Sequence, residues 1–145
     1  MSTEGLVPAM LLDQTSGLLN FDALIELLAK VSPSTIGHMR DSGFAPNLQP
    51  VVRLARIVGT ALTAQLPSLD SAALHYAVDM VESGYVLVIT GSDSTRACLE
   101  GVVSLAAKYR GVSGMVVNGR GTDYQDGLAL GVRLWIVSRT RSGPK

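Results

Sequence analysis

The chain has 145 residues, a mass of 15.2 kDa, and twelve basic residues that balance twelve acidic ones. Its length predicts a single domain over residues 1–145, and the absence of a block of Lys and Arg excludes an extended nucleic-acid-binding surface. Because no apolar run approaches the ~20 residues of a membrane span and Cys98 is the only cysteine, we expect a soluble, cytoplasmic protein without disulfides or membrane contact.

The N-terminal part predicts an arm followed by two helices. Residues 1–16 show little hydrophobic periodicity, which is typical of a loosely packed arm. From 21 to about 31 the apolar residues recur at helical spacing, and Asn20 is a favourable N-cap for that helix. A short second helix is predicted over 35–41, after a Ser-Pro-Ser segment.

Beyond residue 50, strand-like and helix-like segments alternate. This order is typical of βαβ units, and it predicts an α/β fold with helices packed on a mainly parallel central sheet. Aromatic residues make up only 5% of the chain, so Ala, Val, Leu and Ile must form most of the core. In chain order we predict a strand over 51–65, a helix over 70–82, a strand over 85–90, a helix over 96–109 and strands over 114–118 and 132–137.

A polar segment, Gly91-Ser92-Asp93-Ser94-Thr95, follows the strand predicted over 85–90. Gly91 permits backbone conformations that other residues avoid, and the four residues after it all favour helix N-caps. We expect the unpaired amides that open the next helix to suit a carboxylate or a phosphate. A capped helix without a ligand fits the pattern equally well, because the glycine spacing of dinucleotide-binding and P-loop motifs is absent.

A second polar segment, Asn118-Gly119-Arg120-Gly121-Thr122-Asp123, follows the strand over 114–118. Its two internal glycines let the backbone approach a ligand closely. Asp123 either caps a following helix or gives one oxygen to Mg²⁺, and Asp93 is then placed to steady a metal-bound water. Because the carboxyl ends of parallel strands meet at one edge of a sheet, we expect the two polar segments to form one ligand site.

Several motifs resemble, in order and spacing, those of the RraA-like family. The resemblance covers residues 20 to 140. In the first half the motifs are Ser32-Pro33-Ser34-Thr35-Ile36-Gly37-His38, Val58-Gly59-Thr60-Ala61-Leu62-Thr63 and Leu69-Asp70-Ser71. In the second half they are Tyr85-Val86-Leu87-Val88, Gly91-Ser92-Asp93, the helix with Ala97 and Gly101, and Gly114-Met115-Val116-Val117-Asn118-Gly119 followed by Asp123.

This resemblance implies a compact α/β/α fold of the swivelling-domain type, assembled as trimers or hexamers with sites between subunits. The family includes 4-hydroxy-4-methyl-2-oxoglutarate aldolases, which also decarboxylate oxaloacetate, and an inhibitor of ribonuclease E that is not a catalyst. The resemblance therefore implies a divalent metal, usually Mg²⁺, near Asp123. It also implies that the backbone amides of the segment from Gly91 to Thr95, which includes Ser92 and Ser94, contact the substrate.

The sequence departs from the family pattern in two places. Thr122 stands where the family has the arginine that binds the substrate carboxylate, and a hydroxyl cannot make the forked, charge-assisted contact of a guanidinium. Arg96 or Arg120 is the candidate to replace it. The chain also ends at Lys145, where family members continue through further strands, so we expect a C-terminally short member.

Three hypotheses follow for function. The first is a metal-dependent aldolase or decarboxylase that acts on a small 2-oxo acid, with Asp123 and Asp93 as catalytic residues. The second is a non-catalytic binding or regulatory module on the same fold. The third is a family member recruited to specialised metabolism, acting without metal as a cyclase or lyase on a larger substrate. All three are compatible with a homo-oligomer.

Overall fold

The structure is a computed structural model, and it describes residues 20–43, 45, 47–51, 56–67, 72–91, 97–99, 101–121, 129 and 131–139. By its internal contacts the chain divides into a unit of residues 1–44 and a unit of residues 45–145. The N-terminal arm predicted over 1–16 lies outside the described residues, and the single domain over 1–145 stays a prediction.

Two helices form the described part of the first unit. Helix α1 spans Phe21–Lys30, and the side-chain oxygen of Asn20 accepts a hydrogen bond from the Ala23 amide at 3.1 Å, which confirms the predicted N-cap. Helix α2 spans Pro33–His38 and so begins two residues before the predicted start. Proline suits the first helical position because its φ is already helical and it has no N–H to leave unpaired.

A mainly parallel sheet dominates the second unit, as predicted. Its strands pair in the order β1-β6-β5-β3-β2, with β4 beside β5, and only the β1–β6 pair is antiparallel among the described strands. The strands are β1 (Gln49–Pro50), β2 (Ala61–Leu66), β3 (Val86–Gly91), β4 (Ala97–Leu99), β5 (Gly114–Gly121) and β6 (Leu134–Arg139).

Helices α3 (Ala72–Met80) and α4 (Gly101–Tyr109) make the crossovers from β2 to β3 and from β4 to β5, and both pack against the same face of the sheet. Alternate residues of the strands point into this layer. Leu87 and Ile89 of β3 lie beside Met115 and Val117 of β5, and all four are 0% exposed. Both central strands are therefore held by apolar contacts on the helix side.

The opposite face of the sheet is less covered. One row of paired residues crosses all five strands of the main path: Thr63, Val88, Val116, Trp135 and Pro50. Thr63 is exposed and the others are half-buried. Ile57 packs on this face near the amino end of β5, where it contacts the Cα side of Gly114.

Two predicted boundaries were wrong because tertiary contacts override local pattern. The strand expected over 51–65 is regular only from Ala61; Gly59, before it, is packed so closely that a Cβ would collide with the Gly84 carbonyl oxygen. The helix expected from residue 96 begins at Gly101, because Ala97–Leu99 pairs with β5 as strand β4. Residues 52–55 lie outside the described part of the chain.

Smaller differences affect the other elements. The helix predicted over 70–82 is regular from Ala72 to Met80, and its proposed caps at 70 and 71 lie outside the described residues. The last strand is displaced by two residues, from 132–137 to 134–139. Within the residues that the structure describes, no helix has the length and apolar character needed to cross a membrane.

Substitution of Gly114 by Ala tests the close packing at the amino end of β5. The new Cβ would lie 2.8 Å from the Arg133 carbonyl oxygen and would collide with the side chain of Ile57. Because the backbone must move to relieve this contact, we expect Gly114→Ala to lower the free energy of unfolding by about 1–3 kcal/mol in urea titrations. His75→Ala, at an exposed helix position, is the control and should change it by less than about 0.5 kcal/mol.

Candidate functional site

The carboxyl ends of β3 and β5 lie side by side. Thr90 of β3 pairs with Asn118 of β5, and their neighbours in register are Ile89 and Val117. Paired residues of parallel strands point to the same face, so the Thr90 hydroxyl and the Asn118 amide share the face opposite α3 and α4. Thr90 is half-buried and Asn118 is exposed, which places two polar side chains at an accessible edge.

Strand β4 pairs with the same edge of β5 as β3 does, beyond the point where the β3–β5 pairing ends. Strand β6 occupies the other edge of β5 as far as Gly121, so Ala97, which pairs with Arg120, must lie on the β3 side. Gly91 and Ala97 are the described residues on either side of residues 92–96. Both residues therefore lie next to the end of β5. Gly91 begins the first polar segment, and the end of β5 contains the start of the second, so the described ends of the two segments are adjacent.

The pairing of β5 is irregular where these segments meet. Between Val117 and Arg120, three steps along β5 correspond to two steps along β6, from Ile136 to Ser138. Beside it, the two steps from Ala97 to Leu99 in β4 correspond to one step in β5. Bulges of this kind redirect side chains and are frequent next to functional sites. The described strand pairs are in regular register everywhere else.

The local structure corrects how three predicted site elements were interpreted. Gly91 is the last residue of β3 and so belongs to a strand rather than to a loop. Helix α4 begins at Gly101, so the amides that open it do not follow Gly91–Thr95 directly. Arg120 and its two neighbouring glycines belong to β5 rather than to a loop.

Most of the predicted site residues belong to other parts of the chain. Ser92, Asp93, Ser94, Thr95, Arg96, Thr122 and Asp123 lie outside the described residues, and for Arg120 only the backbone is described. Their roles in catalysis, substrate binding and metal binding stay predictions. The structure defines the strands that precede or follow these residues in the chain, which are β3, β4 and β5.

Sequence reasoning missed Thr90 as a candidate and assigned no role to Asn118. The available signal was position, because each is the last paired residue of the β3–β5 ladder. A polar residue at the carboxyl end of a central strand is placed where ligands of parallel sheets bind. Sequence pattern alone could not identify this pair, since it depends on the register between the two strands.

The donors near this edge are suited to a hard cation. Thr90 and Asn118 offer neutral oxygens, and the two carboxylates, Asp93 and Asp123, adjoin the same strands in sequence; Mg²⁺ prefers such oxygen ligands and retains most of its waters. Among the residues in the described ranges, no three His, Cys, Asp or Glu side chains form a cluster that could hold a metal. Asp93 and Asp123 lie outside those ranges and stay the predicted ligands.

An α/β chain with a mainly parallel sheet and polar residues at its carboxyl edge belongs to a broad class of ligand-binding folds. The family can be stated more closely. The model of the RraA-like family, described as Aldolase/RraA, matches residues 21–145. The chain belongs to the RraA-like family, as the sequence motifs predicted. No curated protein matches the sequence.

Solved structures share the fold. An uncharacterised protein from Pseudomonas syringae is 22% identical with a TM-score of 0.71, and the match covers 82% of this chain and 57% of that one. Streptomyces coelicolor RraAS2, described as an unusual member of the RNase ES inhibitor RraA protein family, is 25% identical with a TM-score of 0.70 and coverages of 83% and 66%.

The RNA-processing inhibitor RraA from Thermus thermophilus is 20% identical, with a TM-score of 0.66 and coverages of 79% and 74%. The chain thus spans 57% and 66% of the length of the first two of these structures, less than two thirds of each. The two likenesses under 25% identity show the fold alone.

Substitution of Asn118 tests whether this edge of the sheet binds a small anion. Because the side chain is exposed, we expect Asn118→Ala to leave the free energy of unfolding within about 0.5 kcal/mol of the parent value. We expect the affinity for oxalate in the presence of Mg²⁺, measured by calorimetry, to fall severalfold, since a polar contact is lost. His75→Ala is the matched control, and equal oxalate affinity in both variants would place the ligand elsewhere.

Proposed function

We propose that the chain is a metal-dependent lyase that cleaves a carbon–carbon bond of a small 2-oxo acid, as an aldolase or an oxaloacetate decarboxylase. The observation that carries the proposal is the pairing of Thr90 with Asn118 beside the β4–β5 bulge. This geometry puts Gly91, the first residue of one polar segment, next to the end of β5, where the other segment begins. Membership of a family described as Aldolase/RraA is compatible with this chemistry.

The reaction needs positive charge near the 2-oxo group. When the carbon–carbon bond breaks, its electron pair is left on pyruvate as an enolate, and the products are pyruvate with either CO₂ or a second carbonyl compound. A divalent cation, when bound, supplies Lewis acidity that favours the developing negative charge. Asp123 and Asp93 are the residues of this chain that would hold it, directly or through water.

Other residues would bind and orient the substrate. Arg120 follows Asn118 by two residues in β5, and its Cα partner in β4 is Ala97, the residue after Arg96. One of these two guanidinium groups is the candidate to pair with the substrate carboxylate, replacing the arginine that Thr122 displaces. Thr90 and Asn118 would hydrogen-bond to the polar groups of the acid. Proton delivery to the enolate carbon falls to Asp93, acting through an ordered water.

Pyruvate release from oxaloacetate tests the proposal. With Mg²⁺ present we expect turnover above the rate of the metal ion alone, and we expect EDTA to abolish the difference. Asp123→Ala should lower kcat/KM by roughly 100-fold or more, because it removes the main charged contact to the cation. A coupled assay that follows NADH oxidation during pyruvate reduction measures all three rates.

The control is Asp79→Ala, which removes an exposed carboxylate near the end of α3, before β3 begins, and its rate should equal that of the parent chain. Turnover that resists chelation and survives Asp123→Ala would contradict the proposal. So would a complete lack of turnover in a folded preparation that binds neither Mg²⁺ nor oxalate.

A second candidate is a non-catalytic inhibitor of an RNA-processing enzyme. It is supported by two structures that share the fold: the Streptomyces protein, described as an unusual member of the RNase ES inhibitor RraA family, and the Thermus protein, described as an RNA-processing inhibitor. In this case the chain would act by binding a protein and would need no metal of its own. Its inhibition of RNA cleavage by a purified endoribonuclease should therefore be the same for the parent chain, for the parent chain stripped of metal with EDTA beforehand, and for Asp123→Ala. Loss of inhibition in that variant would count against it.

A further inference from the structure

The last row of paired residues at the carboxyl edge of the sheet crosses three strands. Gln65 of β2 pairs with Thr90 of β3, which pairs in turn with Asn118 of β5. Paired residues of parallel strands point to one face, so all three side chains lie on the face opposite α3 and α4. We call these three residues the polar row. At about 4.8 Å between neighbouring strands, the polar row is about 10 Å long.

Gln65 is accessible at the β2 end of the polar row. Its neighbours Ala64 and Leu66 pack into the core on the helix side, so Gln65 points to the other face, and its side chain is exposed. One row earlier, the same face of β3 and β5 carries Val88 and Val116. On this face the described polar side chains of these two strands are therefore confined to the last row, at the edge where parallel sheets bind ligands.

Charge is distributed unevenly between the two ends of the polar row. At its β5 end two arginines are close in sequence, Arg120 in β5 itself and Arg96 directly before β4. At its β2 end the sequence 66–71 contains no Lys or Arg and includes Asp70. A carboxylate therefore has candidate cationic partners at the β5 end, whereas the β2 end offers it only the neutral Gln65 amide. Groups that can be held without charge are favoured at the β2 end.

We propose that the substrate is a 4-hydroxy-2-oxo acid whose portion beyond the cleaved bond is uncharged and hydroxylated, and that Gln65 binds the hydroxyl groups of that portion. This inference rests on the lyase function proposed above and selects aldol cleavage from it. The Gln65 amide has a donor and an acceptor, and a hydroxyl group can pair with either. The pyruvyl carboxylate lies toward β5, and the carbon chain of the substrate runs along the polar row toward β2.

Aldol cleavage of such an acid needs no oxidant or reductant. The C4 hydroxyl loses its proton, C4 becomes the carbonyl carbon of an aldehyde, and the electron pair of the C3–C4 bond passes to C3. The proton returns at C3 by way of Asp93 and water, so the products are pyruvate and a hydroxyaldehyde. Gln65 contacts only the half that leaves as the aldehyde. It therefore determines which substrate is accepted and takes no part in breaking the bond.

Two substrates that differ only at C5 test the inference on the full chain with Mg²⁺. In 4,5-dihydroxy-2-oxopentanoate the leaving half carries a hydroxymethyl group, and in 4-hydroxy-2-oxoglutarate it carries a carboxylate in the same place. We expect kcat/KM, followed as pyruvate release, to be at least about 10-fold higher for the dihydroxy acid. The reason is that the second carboxylate of the diacid must give up water for a neutral amide.

Variants of Gln65 test the residue itself. Gln65→Ala should lower kcat/KM for the dihydroxy acid by about 5-fold to 10-fold, because a hydrogen bond to the substrate is lost. Oxaloacetate decarboxylation should be unchanged, since the CO₂ that leaves does not extend to β2, and this rate also shows that the variant is folded. Gln65→Lys should shift the preference toward 4-hydroxy-2-oxoglutarate by supplying a positive charge. Thr63→Ala, an exposed position one row earlier on the same face of β2, is the matched control and should change none of these rates.

Three results would overturn the inference, and they separate it from the lyase function. The first is cleavage of 4-hydroxy-2-oxoglutarate at least as fast as that of the dihydroxy acid. The second is a Gln65→Ala variant that cleaves the dihydroxy acid as the parent does, or that loses oxaloacetate decarboxylation to the same extent. Both leave the lyase function standing. The third is a parent chain that releases pyruvate from none of the three acids, which removes the lyase function and this inference together.

Discussion

The parallel ladder between β3 and β5 is the constraint on which the rest of the structure depends. Two adjacent parallel strands need a crossover, and here the helix α4 makes it above the face that Leu87 and Met115 share. The same arrangement recurs from β2 through α3 to β3. Both crossover helices of this unit lie on one face of the sheet, and the carboxyl ends of the parallel strands meet at one edge.

At that edge the regular ladder stops, and this is where a site can be built. A regular sheet presents the same backbone pattern at every step, whereas the bulges beside Asn118 and in β4 break the pattern and redirect the chain. Strand β4 has no place in a simple alternation of strands and helices. It returns the chain to β5 at Ala97, so Gly91 and Ala97, the described residues on either side of residues 92–96, both lie beside β5.

The sequence predicted the buried strands and the apolar helix faces, because hydrophobic periodicity reports burial directly. It could not predict β4: Ala97, Cys98 and Leu99 continue the helical pattern of α4, and only pairing with β5 makes them a strand. For the same reason it interpreted Gly91 as a turn glycine and Arg120 as a loop residue. The location of the candidate site followed from topology, whereas the Thr90–Asn118 pair required the register.

The central claim is that this edge binds a 2-oxo acid together with a divalent cation. A crystal structure of the chain with Mg²⁺ and oxalate tests it most directly. The account predicts both between the ends of β3 and β5, with Asp123 at the cation and the guanidinium of Arg120 or Arg96 at a carboxylate of oxalate. Oxalate bound elsewhere on the chain, or a Mg²⁺ ion held without either aspartate, would contradict it.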